Sequence, residues 1–433
     1  FEDQLMRDEV QGEGVTGVPQ RFTGVLPASP SSSLGELRVL YLPVTFADQN
    51  QVPASEAKSY ETMATVADFF YKSSFGRLSC QTTVSPPIKL PHNEAWYVQK
   101  DTSDGVSKEI DGLGLEQQHA REEARKLGFD VNNFDVVVVR LSGGARPTGG
   151  WGGGDRVWVY SDSPSIIAHE LGHCFGLSHA NYWDTGGASA IGPGANQEYG
   201  DIFDVMGSSS SFFPNNHYNA QAKNQVKWLP DEFVQTVTAS GVYRIHAFDQ
   251  TLLDPTKRYA LKIAKDSQRT YWGEVRAQLD TSNKWIANGL LLGWKWPLNS
   301  GNNIQLLDTT PQSPGGKNDA TIVVGQTFSD PEHDIHLTTV AVNTGPTGER
   351  SIDVLVQLGD LPGNRPPTLA LAASALNVPA NAPIAFAATA ADPDGDSLAY
   401  HWQSSDNTAA GTAVVGPNGP TFTRLFASAG QYV

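Results

Sequence analysis

Apolar runs and helix-spaced apolar positions alternate along the first half of the chain. LRVLYLPVTF at 37–46 is almost unbroken apolar sequence and predicts a buried strand. Met63, Val66, Ala67 and Phe70 then recur at i, i+3, i+4 and i+7, one face of a helix, and RLSCQTTV at 77–84 reads as a second strand. LEQQHAREEARKL at 115–127 is rich in helix formers and ends at Gly128. FDVVVVR at 134–140 follows as a continuous apolar run of the kind found in a central strand. A glycine-dense loop, LSGGARPTGGWGGGD at 141–155, leads into RVWVYS at 156–161, whose alternation suits a strand with one face in solvent. The order of elements is that of an α+β domain built on a twisted sheet with long helices.

Beyond about residue 240 the period changes. VYRIHAF, YALKIA, YWGEVRAQ, GLLLGWKW, HLTTVAV and SIDVLVQL are short strand-like runs separated by Gly, Pro and Asp turns, which predicts a β-sandwich. A Pro-rich linker, LPGNRPP at 361–367, precedes a third segment that opens with TLALAASALNV. The pattern therefore divides the chain into a polar N-terminal extension at 1–35, an α+β domain at 36–238, a β-sandwich at 239–360, and a linker with a further β module at 361–433. The last residues before Val433 read as a strand, so the natural chain is expected to continue. The first residues, FEDQLMRDEVQGEG, lack the basic and apolar regions of an export signal, which is expected to have been removed.

Charge narrows the partners. With 46 acidic against 30 basic residues and a formal net charge of −16, the chain repels phosphate backbones, and no Lys/Arg cluster offsets that locally. Nucleic acid is excluded as an expected partner. No run of about 18 apolar residues occurs, so no membrane-spanning segment is expected. The acidic balance is compatible with calcium, whose hard oxygen ligands are Asp and Glu, and equally with solubility alone.

The chemistry concentrates at IIAHELGHCFGLSHA, 166–180, which contains H-E-x-x-H-x-x-G-x-x-H in full. On a helix His169 and His173 lie one turn apart on one face, so both imidazoles can address one metal ion. Gly176 can take the positive φ that ends the helix and lets His179 swing back as a third nitrogen ligand. Three protein ligands leave a position open for water, the catalytic rather than the structural arrangement for zinc. Glu170, beside the first ligand, is placed to act as general base toward that water. From the chain's own residue frequencies, a chance occurrence of this motif is on the order of 10⁻⁵.

With these residues the chain resembles the metzincin zinc peptidases, and within them the gametolysin-like family. YGDIFDVMG at 199–207 and HYNAQAKNQVKWL at 217–229 are similar to that family's Met-turn and the segment after it, and VADFFYKSSFGRLS at 66–79 to a segment before the catalytic helix. The resemblance covers roughly residues 36–235 and more weakly the β domain to 358. It implies a metzincin-type catalytic domain, a secreted zinc endopeptidase with a protein or peptide substrate of the extracellular matrix or cell wall, and Met206 beneath the zinc site. Ser208 stands where astacins and serralysins carry a tyrosine ligand, so no tyrosine ligand is expected. Family members use an inhibitory propeptide cysteine; residues 1–35 contain none, so latency here is expected to take another route or the propeptide to have been removed. Cys174, about 100° around the helix from His173, points away from the metal. It is a buried free thiol or the partner of Cys80 in a disulfide.

AADPDGDSLAYHWQ at 390–403 resembles the PKD type of immunoglobulin-like module, which implies attachment to a surface or matrix polymer. Asp392, Asp394 and Asp396 around Gly395 suit a calcium ion; a simple acidic turn is the other reading. RVWVYS is expected to be the edge strand of the active-site cleft, with Arg156, Val157, Trp158, Val159 and Tyr160 receiving the substrate. The rival reading from another class is an adhesion or matrix-binding protein whose peptidase domain is secondary or inactive; the intact Glu170 favours the enzyme.

Overall fold

The computed structural model describes residues 32–431 apart from 99, 102–107, 110–111, 144–148, 250–251, 281–282, 284, 297–303, 314, 361–364, 403–417 and 429. Most of the N-terminal extension 1–35, the start of the linker 361–367 and the middle of the glycine-dense loop thus lie outside the described residues. The described residues fall into two compact units: one holds the residues up to Asn181 together with Glu198–Pro230, and the other holds Tyr182–Gln197 and the chain from Asp231 onward.

In the first unit, strands β1 (Gly35–Thr45), β2 (Leu78–Val84), β3 (Ile88–Lys89), β4 (Val136–Leu141), β5 (Gly150–Gly153) and β6 (Arg156–Val159) form one mixed sheet in the order β2-β1-β4-β6-β5, with β3 on the end of β1. All pairings are parallel except β5 against β6. The apolar run of β4 makes it central, and all six of its residues are buried. Side chains alternate across the sheet. Leu40, Leu42, Val44, Val137, Val139, Leu141 and Trp158 share one core cluster with Ala120 and Ala124 of helix α2 (Gly112–Lys126). The opposite face meets helix α3 (Pro164–Cys174), and α3 in turn packs on helix α1 (Glu56–Ser73). Helix α1 buries Met63, Val66 and Phe70 as its spacing predicts, and adds Phe69; Ser55 caps it by accepting from the Lys58 amide.

One expectation is corrected. RVWVYS is not an edge strand: β6 lies between β4 and β5, and Val157, Trp158 and Val159 are fully buried. The glycine-rich residues before it, which read as loop, form the antiparallel edge strand β5 instead, and the alternation in RVWVYS masks burial on both faces. Arg156, Val157, Trp158, Val159 and Tyr160 are therefore not the substrate-receiving edge.

The second unit contains an eight-stranded sheet and a four-stranded antiparallel sheet over a shared apolar cluster that includes Leu261, Tyr271, Leu292, Trp294, Leu337, Val354 and Val356. Its boundary also departs from expectation. Strands Asn181–Asp184 and Ala195–Gln197 pair with each other and extend the eight-stranded sheet beside Ile304–Leu306. They are only four and three residues long, around a Gly- and Ser-rich turn, which is too short for a period to show. The residues from Thr368 carry a three-stranded antiparallel sheet of Thr368–Ala373, Pro383–Ala391 and Thr421–Leu425. No helix among the described residues is long and apolar enough to cross a membrane.

The core of the second unit also holds an ion pair, Lys265 with Asp330, whose side chains are 1% and 0% exposed. Tyr271 donates to the same carboxylate at 2.8 Å, and His333 Nδ1 lies 3.0 Å from the ammonium. Desolvating two charges costs more than their attraction returns, but removing one partner strands the other. Asp330→Ala should therefore destabilise the unit by about 3–5 kcal/mol, whereas the double replacement Lys265→Met with Asp330→Leu should cost far less. Guanidinium unfolding of the two variants checks this.

Candidate metal centre

The motif helix is built to present two imidazoles and then stop. Pro164 opens α3, where the missing amide hydrogen is not needed. At the other end the amide of Gly176 donates to the His173 carbonyl at 2.9 Å and that of Leu177 to the Gly172 carbonyl at 3.1 Å, a Schellman closure with Gly176 at φ +83°. That closure turns the chain toward His179.

Three imidazoles converge. The ligand atoms of His169, His173 and His179 all lie within 4.8 Å of one another, and the Nε2 atoms of His173 and His179 are 3.1 Å apart. Two nitrogens on a tetrahedral zinc at the usual bond length sit roughly 3.4 Å apart, so the set is close to what one ion demands. The outer nitrogens explain the orientation. His169 Nδ1 meets the Val205 carbonyl at 2.8 Å, His173 Nδ1 the Leu177 carbonyl at 2.8 Å, and His179 Nδ1 the Glu198 carboxylate at 2.6 Å. A carbonyl or a carboxylate only accepts, so each Nδ1 carries the hydrogen and each Nε2 keeps its lone pair for the centre. Nε2 of His169 is buried and meets no protein partner, the orphaned atom expected where an ion belongs. Burial, reinforced by the neighbouring imidazoles, holds His169 well below the ordinary imidazole range and pulls His173 down to about 3. Both imidazoles are neutral near pH 7. The donor set fits zinc: three imidazole nitrogens and no thiolate.

Glu170 lies on the same helix, is 1% exposed, and faces β5. A Cβ at Gly150 would stand 2.8 Å from Glu170 Oε1, and one at Gly152 would collide with the Glu170 carbonyl oxygen. The glycines that read as loop thus let the edge strand run directly over the carboxylate and the helix backbone.

Met206 is 1% exposed beneath α3. Its turn is held by Asp204, which accepts from the Met206 amide at 2.7 Å and from the backbone and side-chain nitrogens of Asn219, both at 2.6 Å. Asn219 also caps the short helix Ala220–Gln225, and Tyr218 donates to the Ala168 carbonyl of α3 at 2.7 Å. Trp228 stacks on Tyr218 with ring centroids 5.2 Å apart.

Several residues that bear on the centre were not singled out from sequence: Glu198, Tyr199, Asp204, Gly150 and Gly152. Tyr199 and Asp204 lie inside the YGDIFDVMG segment, which marked the region without assigning their roles. Cys80 and Cys174 are both free, and Cys174 Sγ is directed at the Arg156 carbonyl, 3.6 Å away.

Two other groups of candidate ligands are arranged differently. Asp330, Glu332 and His333 also bring their ligand atoms within 4.8 Å, but the Lys265 ammonium already lies among them. Asp392, Asp394 and Asp396 do not converge. Asp392 accepts from the amides of Asp394 and Asp396, and Asp394 is paired with Arg365 at 2.8 Å, which holds its carboxyl below the usual range. These contacts are those of an acidic turn.

Comparison with family models finds a PKD domain over residues 368–433. The C-terminal segment is a PKD domain. Its three described strands are those of the terminal sheet, and Gly395, at φ +83°, makes the turn after the second of them. PKD domains occur in extracellular proteins and often mediate binding. No curated protein matches the chain.

Gly172 tests how closely the methionine turn supports the helix. A Cβ there would stand 2.5 Å from Met206 Sδ and 2.9 Å from the Tyr218 oxygen. Gly172→Ala should cost about 1–3 kcal/mol by overpacking. Thermal melts should reveal the loss, and chelator competition should show weaker zinc retention.

Proposed function

We propose that the chain is a secreted zinc endopeptidase of the metzincin kind, closest in character to the gametolysin-like family, with His169, His173 and His179 as metal ligands and Glu170 as general base. The observation that carries this reading is the set of three Nε2 atoms freed toward one point because each Nδ1 is committed elsewhere. Zinc, when bound, supplies a Lewis acid that activates water and polarises the scissile carbonyl. The chain's own residues do the remainder. Glu170 takes the proton of the attacking water and returns it to the leaving amine. Burial under the glycine edge strand keeps that carboxylate out of bulk solvent, where proton transfer to a chosen partner is more selective.

The free side of β5 is the place for an extended substrate. β5 is the terminal strand of the described sheet, and it runs over Glu170, so a peptide paired to its backbone would lie beside the base. The PKD domain favours a second role in the same chain, attachment of the enzyme to a surface or matrix polymer. Export is supported by that domain.

Glu170→Gln separates catalysis from metal binding. It keeps size and hydrogen bonding but removes the proton acceptor, so zinc content should stay full while turnover on denatured casein falls at least about 10²- to 10⁴-fold. A chelator should abolish cleavage by the unaltered chain, and zinc should restore it. Full zinc with near-normal turnover in Glu170→Gln would assign the base elsewhere, and chelator-insensitive cleavage would refute the metal mechanism.

A further inference from the structure

The three metal-binding imidazoles are held differently. His169 and His173 ride on a helix and bond to backbone carbonyls, whereas His179 follows the helix stop at Gly176 and has no regular element beneath it. What holds its ring is a pair of consecutive side chains. Glu198 takes the Nδ1 hydrogen at 2.6 Å, and the Tyr199 ring lies against the imidazole face, centroids 3.7 Å apart at 31°. Tyr199 is 4% exposed and also stacks on His169 at 5.8 Å and 18°, so one phenol ring contacts two of the three imidazoles.

Consecutive side chains of an extended strand point to opposite sides, so Glu198 and Tyr199 could not both reach His179 from such a backbone. Tyr199 sits at φ +55°, a left-handed conformation that side-chain-bearing residues seldom take. The Tyr199 amide is tied at 3.1 Å to Oδ1 of Asn181, a 1%-exposed residue two positions after His179. Unusual backbone held by a buried cross-tie at a candidate site is what a positioning role requires. Glu198 also differs in kind from the other two acceptors. It is a carboxylate, so it makes its imidazole a stronger donor to a dication than a carbonyl would.

We propose that Glu198 and Tyr199 form a clamp on His179, Glu198 fixing the tautomer and basicity of the third ligand and Tyr199 fixing its tilt. This rests on the metal reading given above. Both are positioning residues.

The test measures zinc dissociation constants of the full chain by chelator competition, with melting of the metal-free proteins alongside. Glu198→Ala should weaken zinc about 10–100-fold, and Glu198→Gln, which keeps an acceptor oxygen without the charge, by less. Tyr199→Gly keeps the positive φ but loses the ring, so affinity should fall; Tyr199→Phe keeps the ring and should restore it. The same Glu198→Ala change made in a His179→Ala background should have no further effect, because its only route to the metal is gone. Zinc binding within twofold of the unaltered chain for Glu198→Ala and Tyr199→Gly, or an undiminished Glu198→Ala effect in the His179→Ala background, would overturn the clamp. Failure of the unaltered chain to bind one zinc would instead overturn the metal reading on which the clamp depends.

Discussion

Everything at the candidate metal centre depends on where three imidazole hydrogens go. A histidine can offer a lone pair inward only if its other nitrogen is a donor with a fixed acceptor. The acceptors here come from three separate stretches: the helix-closing turn at Leu177, the methionine turn at Val205, and Glu198. Each stretch is organised for other reasons as well. The closing turn satisfies carbonyls at the end of the helix, and the methionine turn is drawn in by the buried Asp204 carboxylate and the aromatic cluster of Tyr218 and Trp228. The centre is therefore preorganised by hydrogen bonds that do not involve a metal at all.

Two polar clusters, one in each unit, are buried by different means. In the first, His169 Nε2 faces inward with its lone pair and meets no protein donor. In the second, the comparable cluster at Asp330 is closed by an internal ammonium. Three potential ligands in proximity are thus not a metal site in themselves. What separates the two clusters is whether the chain supplies its own cation, and Lys265 does.

The sequence carried the parts of this picture that have a period or a fixed spacing. The apolar run of β4, the helical spacing of Met63, Val66 and Phe70, and the eleven-residue histidine motif were all readable, because 2.0, 3.6 and i+4 are geometric constants of the backbone. The strand at 156–161 was misread because alternation signals a half-exposed strand, while a strand covered by helix on one face and sheet-core side chains on the other can alternate too. The edge strand went unseen because GWGG has neither strand propensity nor period; its glycines are explained only by the helix they lie against. Glu198 and Tyr199 were also beyond reach, since their meeting with His179 depends on a single backbone angle at Tyr199 and on the loop pairing through Asn181. The acidic residues at 392–396 have two readings, and the pairing of Asp394 with Arg365 was not legible because it depends on residues 29 positions apart.

Helix α3 is gripped where it carries its chemistry by surfaces without side chains. On one side Gly150 and Gly152 bring peptide planes against Glu170, and on the other Gly172 lets the Met206 sulfur approach the helix. Side chains at a packed interface can trade volume with one another, so most contacts of this kind drift as a lineage accumulates neutral changes. Peptide planes have no such freedom, and a glycine can only be replaced by something larger. The separation between carboxylate and imidazoles is accordingly set by the stiffest components a polypeptide has, and the side chains that orient the imidazoles, Glu198 and Tyr199 among them, act beside a helix already fixed in place.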